Sequence, residues 1–398
     1  MQPTLRREMR LGGAIVTGLG SILGTGAFVA IGLAAGMWGD SVLIAVPIAG
    51  ALATFNGLSS AFLAGRFPVA GGTYEYAYRT LGQWWGFAAG WLFLLAKTAS
   101  AAAAALGVST YLGFEGDRRI VAIVAIIAVT VFVLAGLRPS TVVNVVLVTI
   151  TVTALVTFGI SAISARGTWQ PISGDMMRAG LFPAIAFVFV AYTGYGRIAT
   201  LGEEVRRPEQ AIPRAVVVTL VIAAALYTLV AFGGRAAGGP NWGLALDQSG
   251  LDTLIEPPAS VVVAIGAVTA MLGVILNLVL GLSRVWLAMG RRGDMAPALA
   301  RLDRRQNPVN AIVTGAVPII LFAMLGDVSL AWSFSAFTVL LYYGITNLAA
   351  LSVDRRRWTA WAGLLTCLSL SFFVPLTVWL TGAALIALGA IWKSQRRA

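Results

Sequence analysis

Leu19-Gly20-Ser21-Ile22-Leu23-Gly24-Thr25-Gly26-Ala27-Phe28 lies in the middle of the first long apolar segment, 9–37. That segment exceeds the ~20 residues needed to cross a bilayer. A spanning helix satisfies every backbone N–H and C=O internally, because lipid offers no partners. Here three glycines, a serine and a threonine stand where an ordinary span carries Leu or Val. Glycine lowers the cost of unwinding, so a break near 22–26 leaves free carbonyls on one half-helix and free amides on the other. Such a break is tolerated only when buried in protein or lining a cavity. The same glycines also suit close approach of a neighbouring helix. A second interrupted span, in the other half of the chain, favours the break.

The rest of the chain supports a membrane setting. Of 398 residues, 58% are hydrophobic and 11% charged, with a mean hydropathy of +0.85. Apolar runs recur throughout, which predicts one polytopic bundle in a single domain, 1–398, rather than linked soluble domains. No cleavable signal is expected, since the first apolar segment is full length and lacks a convincing cleavage site. The runs predict twelve spans, at 9–37, 41–65, 84–112, 120–136, 141–165, 181–204, 213–234, 259–290, 309–326, 331–351, 358–373 and 376–392.

Charge sets the orientation. With a cytoplasmic N-terminus, twenty of the 28 Lys and Arg fall on the cytoplasmic side and five outside (Arg118, Arg119, Arg166, Arg178, Arg235). Lys97, Arg197 and Arg284 lie within spans or at their ends. This asymmetry follows the positive-inside rule and places both termini in the cytoplasm of a multi-pass protein of the cell (inner) membrane. The net charge of +12 is therefore topological and implies no nucleic-acid partner. A single cysteine, Cys367, excludes an intrachain disulfide. With no histidine in the chain, no metal or cofactor is expected.

Between spans two and three, Pro68-Val69-Ala70-Gly71-Gly72-Thr73-Tyr74 breaks the helix. Glu75 and Arg79, at i and i+4, can pair on a short cytoplasmic helix. Span three carries Lys97 near its centre, where a cation costs ~2.5–3.5 kcal/mol and is expected to face the bundle interior. Ser100, Ala101 and Ala104 continue the same narrow face. Span five is threonine-rich, and such hydroxyls ordinarily bond back to their own helix. Span six reads Val190-Ala191-Tyr192-Thr193-Gly194-Tyr195-Gly196, and its Gly194 and Gly196 interrupt it much as Gly24 and Gly26 interrupt span one. Two broken spans, each opening a five-span half, point to an inverted-repeat transporter with its site at the breaks.

The residues 20–28 resemble the first-span signature of the amino acid–polyamine–organocation superfamily of permeases. Pro68 to Tyr74 is similar to its first cytoplasmic loop. Tyr192-Thr193-Gly194-Tyr195, followed by Glu203-Glu204 and Pro208 to Arg214, is similar to its sixth span and following loop. Ser283-Arg284 through Pro297 is similar to the end of its eighth. The resemblance implies an all-α integral membrane protein of twelve transmembrane helices. Its 5+5 inverted-repeat, LeuT-like core has broken helices 1 and 6; helices 1–6 occupy 9–204, helices 7–10 occupy 213–351, and two peripheral helices occupy 358–392. It implies an amino acid substrate whose carboxylate meets the amides of Gly24, Thr25 and Gly26, at a half-helix N-terminus that favours anions. The substrate ammonium would meet the carbonyls of Ile22, Val190 and Thr193 beside Gly194. Selectivity would come from Lys97, Ala101, Tyr192, Tyr195 and Asn277.

Two departures stand out. Many relatives carry an acid where this chain has Gly196, and a lysine near the place of Thr151. Coupling is accordingly assigned to Lys97 and the Thr151 position. With no acidic residue at mid-membrane, a dibasic substrate would lack a partner for its second charge. The expected function is a secondary active, alternating-access permease for neutral amino acids, coupled to protons. Obligatory exchange is the alternative, and a channel lacks the continuous polar stripe it requires. An enzyme is not expected, because no nucleophile, base or metal set is present.

Overall fold

A computed structural model of the chain describes residues 9–67, 71–114, 116–136, 141–164, 180–201, 205–246, 249–304 and 306–395. Pro68–Ala70, Glu203 and Glu204, and the exterior Arg166 and Arg178, lie outside the described residues. Every long element is a helix. The first span is α1 (Leu11–Ile22), a π-helical turn at Gly26–Ala30 and α2 (Ile31–Trp38). Its two halves meet at 43°, and the hinge residue Leu23 is extended, at φ −74° and ψ 112°. The break falls within the predicted window because Gly24 and Gly26 impose little conformational penalty on leaving the helix.

Helix α3 is Ser41–Arg66, and α4 is Thr73–Thr80, a short helix launched by Gly71 and Gly72 at φ +123° and +58°. Glu75 and Arg79 pair on it at 3.0 Å. There follow α5 (Gln83–Tyr111), α6 (Arg118–Leu134) and α7 (Thr141–Ser164). The Asp117 carboxylate caps α6 by accepting the Arg119 N–H, a favourable N-cap interaction. The sixth span comprises α8 (Leu181–Phe189), a 3₁₀ segment at Val190–Tyr195 and α9 (Gly196–Ala199). Next come α10 (Pro208–Gly238), with Pro208 at its first position, and α11 (Trp242–Ala245). The chain finishes with α12 (Ala259–Arg291), α13 (Val309–Ala323), α14 (Val328–Val353), α15 (Trp358–Leu370) and α16 (Leu376–Gln395).

Among the described residues eight helices are long and apolar enough to cross a membrane, or nine when the bent first span counts as one. The remaining predicted crossings fall on α6, α13 and α15, of 17, 15 and 13 residues. These are at or below the usual spanning length. Helix α13 stops short because Gly326, at φ +74°, turns the chain back.

Burial ranks the spans. In α5, 89% of the apolar window is buried and in α14 78%, against 22% in α16. Helix α5 is thus the central column and α16 the periphery. The packing has an internal correspondence when spans one to five are exchanged for six to ten. Helix α1 packs on α10 as α8 packs on α3; α5 packs on α14 as α12 packs on α7; and α5 packs on α6 as α12 packs on α13. Three contacts map onto themselves, α3 with α10, α5 with α12 and α6 with α13. Even the connections follow, since α4 packs on α5 and the 3₁₀ turn at Leu251–Leu254 packs on α12.

Candidate functional site

The kink of span one leaves three backbone donors open among the described residues. Leu23 N–H still reaches Leu19 O, and Ala27 and Phe28 N–H both reach Gly24 O. The N–H groups of Gly24, Thr25 and Gly26 have no partner among the described residues. Thr25 is 3% exposed, and its Oγ1 is buried with no hydrogen-bond partner among them either. Unbonded donors at the start of a half-helix carry a partial positive charge suited to a carboxylate.

Span six departs from the expected break. It continues as one helical path, Leu181–Ala199, tightened into 3₁₀ winding over Val190–Tyr195. Winding with i→i+3 bonds keeps the backbone largely paired, so little is unwound. The glycines serve contact instead. A Cβ on Gly194 would lie 2.1 Å from Ser21 O and 2.7 Å from Ile22 N, and one on Gly26 would lie 2.8 Å from Ala191 Cα. Spans one and six therefore meet backbone to backbone at the kink.

The carbonyls expected to receive an ammonium each accept a hydroxyl in this structure. Tyr227 on α10 donates to Ile22 O at 2.7 Å and to Ala191 O at 3.1 Å. Thr193 Oγ1 donates to Val190 O at 2.8 Å, and Tyr343 on α14 donates to Thr193 O at 2.9 Å. Neither Tyr227 nor Tyr343 is among the site residues expected from the sequence. The available signal was a tyrosine in an aliphatic span, since a buried phenol needs a polar partner.

Lys97 is 8% exposed and donates to Thr193 Oγ1 at 3.3 Å. It thus faces the interior, as its insertion cost requires. One turn along α5, Ala101 is fully buried, and Ser100 bonds Ser335 on α14 at 2.7 Å. Tyr192 points elsewhere, donating to Val46 O on α3 at 2.9 Å. Tyr195 is fully buried with its ring 5.0 Å from that of Tyr343.

Thr151 and Asn277 lie apart from Lys97. With Gly20, Leu23 and Asn144 they line a small cleft on the α7–α12 side of the kink. Both are bonded back to their own helices, Thr151 to Leu147 O at 2.8 Å and Asn277 to Gly273 O at 3.0 Å. Cys367 is buried, and its thiol bonds Asn56 Oδ1 at 3.1 Å.

Comparison with known proteins adds a family. A family model described as amino acid permease matches residues 13–393. An uncharacterized transporter of Mycobacterium tuberculosis is 39% identical, over 99% of this chain and 92% of its own. A branched-chain amino acid permease of Bacillus subtilis is 27% identical, over 76% of this chain and 70% of its own. A vacuolar cationic amino acid transporter of Arabidopsis thaliana is 28% identical, over 85% of this chain and 58% of its own.

Proposed function

Because the chain belongs to the amino acid permease family, whose members are transporters and not enzymes, we propose that it carries a neutral amino acid by alternating access, coupled to protons. One observation carries the site: three amides and the Thr25 hydroxyl, none with a partner among the described residues, lie at the kink of span one. The substrate carboxylate takes these donors. Its ammonium takes the carbonyls of Ile22, Val190 and Thr193 in exchange for the hydroxyls they now accept. The relatives' names point both to branched-chain and to cationic substrates. The absence of any acidic residue from mid-span favours the neutral class, because a second cationic group would be buried unpaired.

The architecture we assign is a LeuT-like core of two inverted repeats, helices 1–6 in 9–204 and 7–10 in 213–351, with 358–392 peripheral and both termini cytoplasmic. The exchangeable packing of the two halves supports it. So do the contacts between helix ends. Asp40 pairs with Arg235 at 2.8 Å, joining two ends assigned outside. Met9 bridges Val205, and Asp294 binds Lys393, each joining ends assigned inside. The proton role is assigned to Lys97, with the Thr151 position as the other candidate.

Counterflow of labelled alanine, serine or leucine in proteoliposomes tests the reading. A carrier shows counterflow, and unlabelled arginine or putrescine competes poorly. Strong competition by arginine or putrescine, with none by alanine, serine or leucine, overturns the substrate class. Accumulation driven by a proton gradient into vesicles lacking internal amino acid separates symport from obligatory exchange.

A further inference from the structure

Tyr227 on α10 is fully buried, and its ring packs 5.0 Å from that of Tyr192. Its hydroxyl donates to Ile22 O at 2.7 Å and to Ala191 O at 3.1 Å. Ile22 ends α1. In an unbroken helix its carbonyl would accept the Gly26 N–H four residues on, which here has no partner among the described residues. The phenol stands in for that amide. It also borders the open donors, because a Cβ on Gly26 would lie 3.3 Å from Tyr227 Oη. One hydroxyl from span seven thus reaches both places where the two ends of a substrate are proposed to sit. A phenol donates as well as accepts, so it can serve either end.

We propose that Tyr227 makes the site specific for an α-amino acid, which rests on the kink of span one being the substrate site. In the empty site the phenol holds Ile22 O. The substrate ammonium takes that carbonyl, and the released phenol proton turns to the carboxylate lying on the amides of Gly24, Thr25 and Gly26. A hydrogen bond to a neutral carbonyl is thereby exchanged for one to a charged oxygen, roughly twice as strong. A bare amine displaces the phenol equally but brings no carboxylate. The phenol proton then falls back on Ala191 O, the longer of its two contacts. A carboxylate without an α-ammonium leaves the proton on Ile22 O, so the exchange does not occur. Only a ligand with both groups on one carbon gains from it.

The test uses the full-length protein in detergent and reads dissociation constants from the ligand-dependent rise in melting temperature. Alanine, serine and leucine are each compared with the amine that lacks the carboxylate: ethylamine, ethanolamine and isoamylamine. The unmodified protein is expected to prefer the amino acids. Tyr227→Phe is expected to weaken the amino acids about tenfold, the loss of one charge-assisted hydrogen bond. The amines are expected to hold or tighten slightly, so the preference falls. Incorporating a fluorotyrosine at Tyr227 keeps the hydroxyl and makes it a stronger donor. That change is expected to raise the preference, which covers failure of the phenylalanine variant to fold. Tyr111→Phe removes a tie of the same kind further along span one, from Tyr111 to Phe28 O at 2.6 Å, and is expected to leave the preference unchanged. The proposal is overturned if Tyr227→Phe changes amino acids and amines alike, as loss of a structural tie would. It is also overturned if the amino acids are unaffected, or if Tyr111→Phe lowers the preference as much. If the unmodified protein binds none of the three amino acids, the reading of the site falls and the proposal with it. Binding with the same preference in both Tyr227 variants removes the proposal alone.

Discussion

Lys97 donates a 3.3 Å hydrogen bond to the Thr193 hydroxyl, and that hydroxyl in turn donates to Val190 O. A lysine from span three is thereby attached to the carbonyl proposed to receive the substrate ammonium. On the proposed reading two cations compete for one chain of acceptors, so that arrival of substrate weakens the hold on Lys97. Competition of this kind couples the two events without direct contact between them.

Lys97→Met separates a proton carrier from a structural ion. The variant is expected to lose pH-driven accumulation in proteoliposomes while keeping counterflow. Its melting temperature is expected to hold or rise, because a buried cation with one hydrogen bond among the described residues is costly to keep. Full accumulation by the variant would place coupling elsewhere, with the Thr151 position next to be tested.

Thr25→Val removes a buried hydroxyl that has no partner among the described residues and keeps the side-chain shape. Burying an unsatisfied polar group costs ~1–3 kcal/mol, so the fold is expected to be as stable or more so. Counterflow and the melting shift produced by alanine or leucine are expected to fall by about tenfold, one lost charge-assisted contact. Normal uptake by Thr25→Val would remove the hydroxyl from the site. Gly26→Leu is a poorer probe, because even a Cβ there meets Ala191 Cβ at 2.5 Å and misfolding would be confounded with lost binding.

Much of this arrangement is legible from local sequence. The kink of span one follows from glycines in an apolar run, and the interior placement of Lys97 from the cost of a mid-membrane charge. What local sequence does not contain is who closes the exposed carbonyls. Tyr227 reaches Ile22 across 205 positions, and Tyr343 reaches Thr193 across 150. The continuous winding of span six is hidden from local sequence for the same reason. Gly194 looks like a helix breaker until the backbone of Ser21, far earlier in the chain, is found where a Cβ would lie. The short helices α13 and α15 are a third case, since apolar runs mark their positions but not how early turn residues end them.

Gly194 and Gly196 are accordingly expected to behave differently. Gly194→Ala places a methyl 2.1 Å from Ser21 O and 2.4 Å from Ser21 C, which a shift of span one or span six must relieve. Overpacking of this kind costs ~1–3 kcal/mol, and uptake is expected to fall with it. At Gly196 a methyl meets Tyr343 Oη at 3.1 Å, and a small displacement suffices. Thermal melts of the two variants check this, and equal melting temperatures would show that the backbone contact is not rigid.

The last prediction concerns the cytoplasmic end, where Asp294 is 1% exposed and gathers two helices. Tyr74 on α4 donates to it at 2.8 Å and Tyr78 at 2.7 Å, Lys393 on α16 pairs with it, and Trp392 Nε1 donates to its backbone carbonyl at 3.0 Å. Asp294→Asn leaves the Lys393 ammonium without its carboxylate, and removing one partner of a buried pair costs ~3–5 kcal/mol. Adding Lys393→Met is expected to recover part of that loss, since the unpaired charge goes too, and the double-mutant cycle measures the coupling. Burial first, and then the Asp294 charge, push the Tyr74 phenol upward from its ordinary value near 10. The folded chain therefore keeps this proton above the pH at which the unfolded chain releases it. Stability from the cluster is fully present below about pH 10 and is lost as pH rises past it. Melting temperature followed from pH 8 upward is expected to fall less steeply in Tyr74→Phe than in the unmodified chain. An equally steep fall would show that Tyr74 makes no contribution to the alkaline limit.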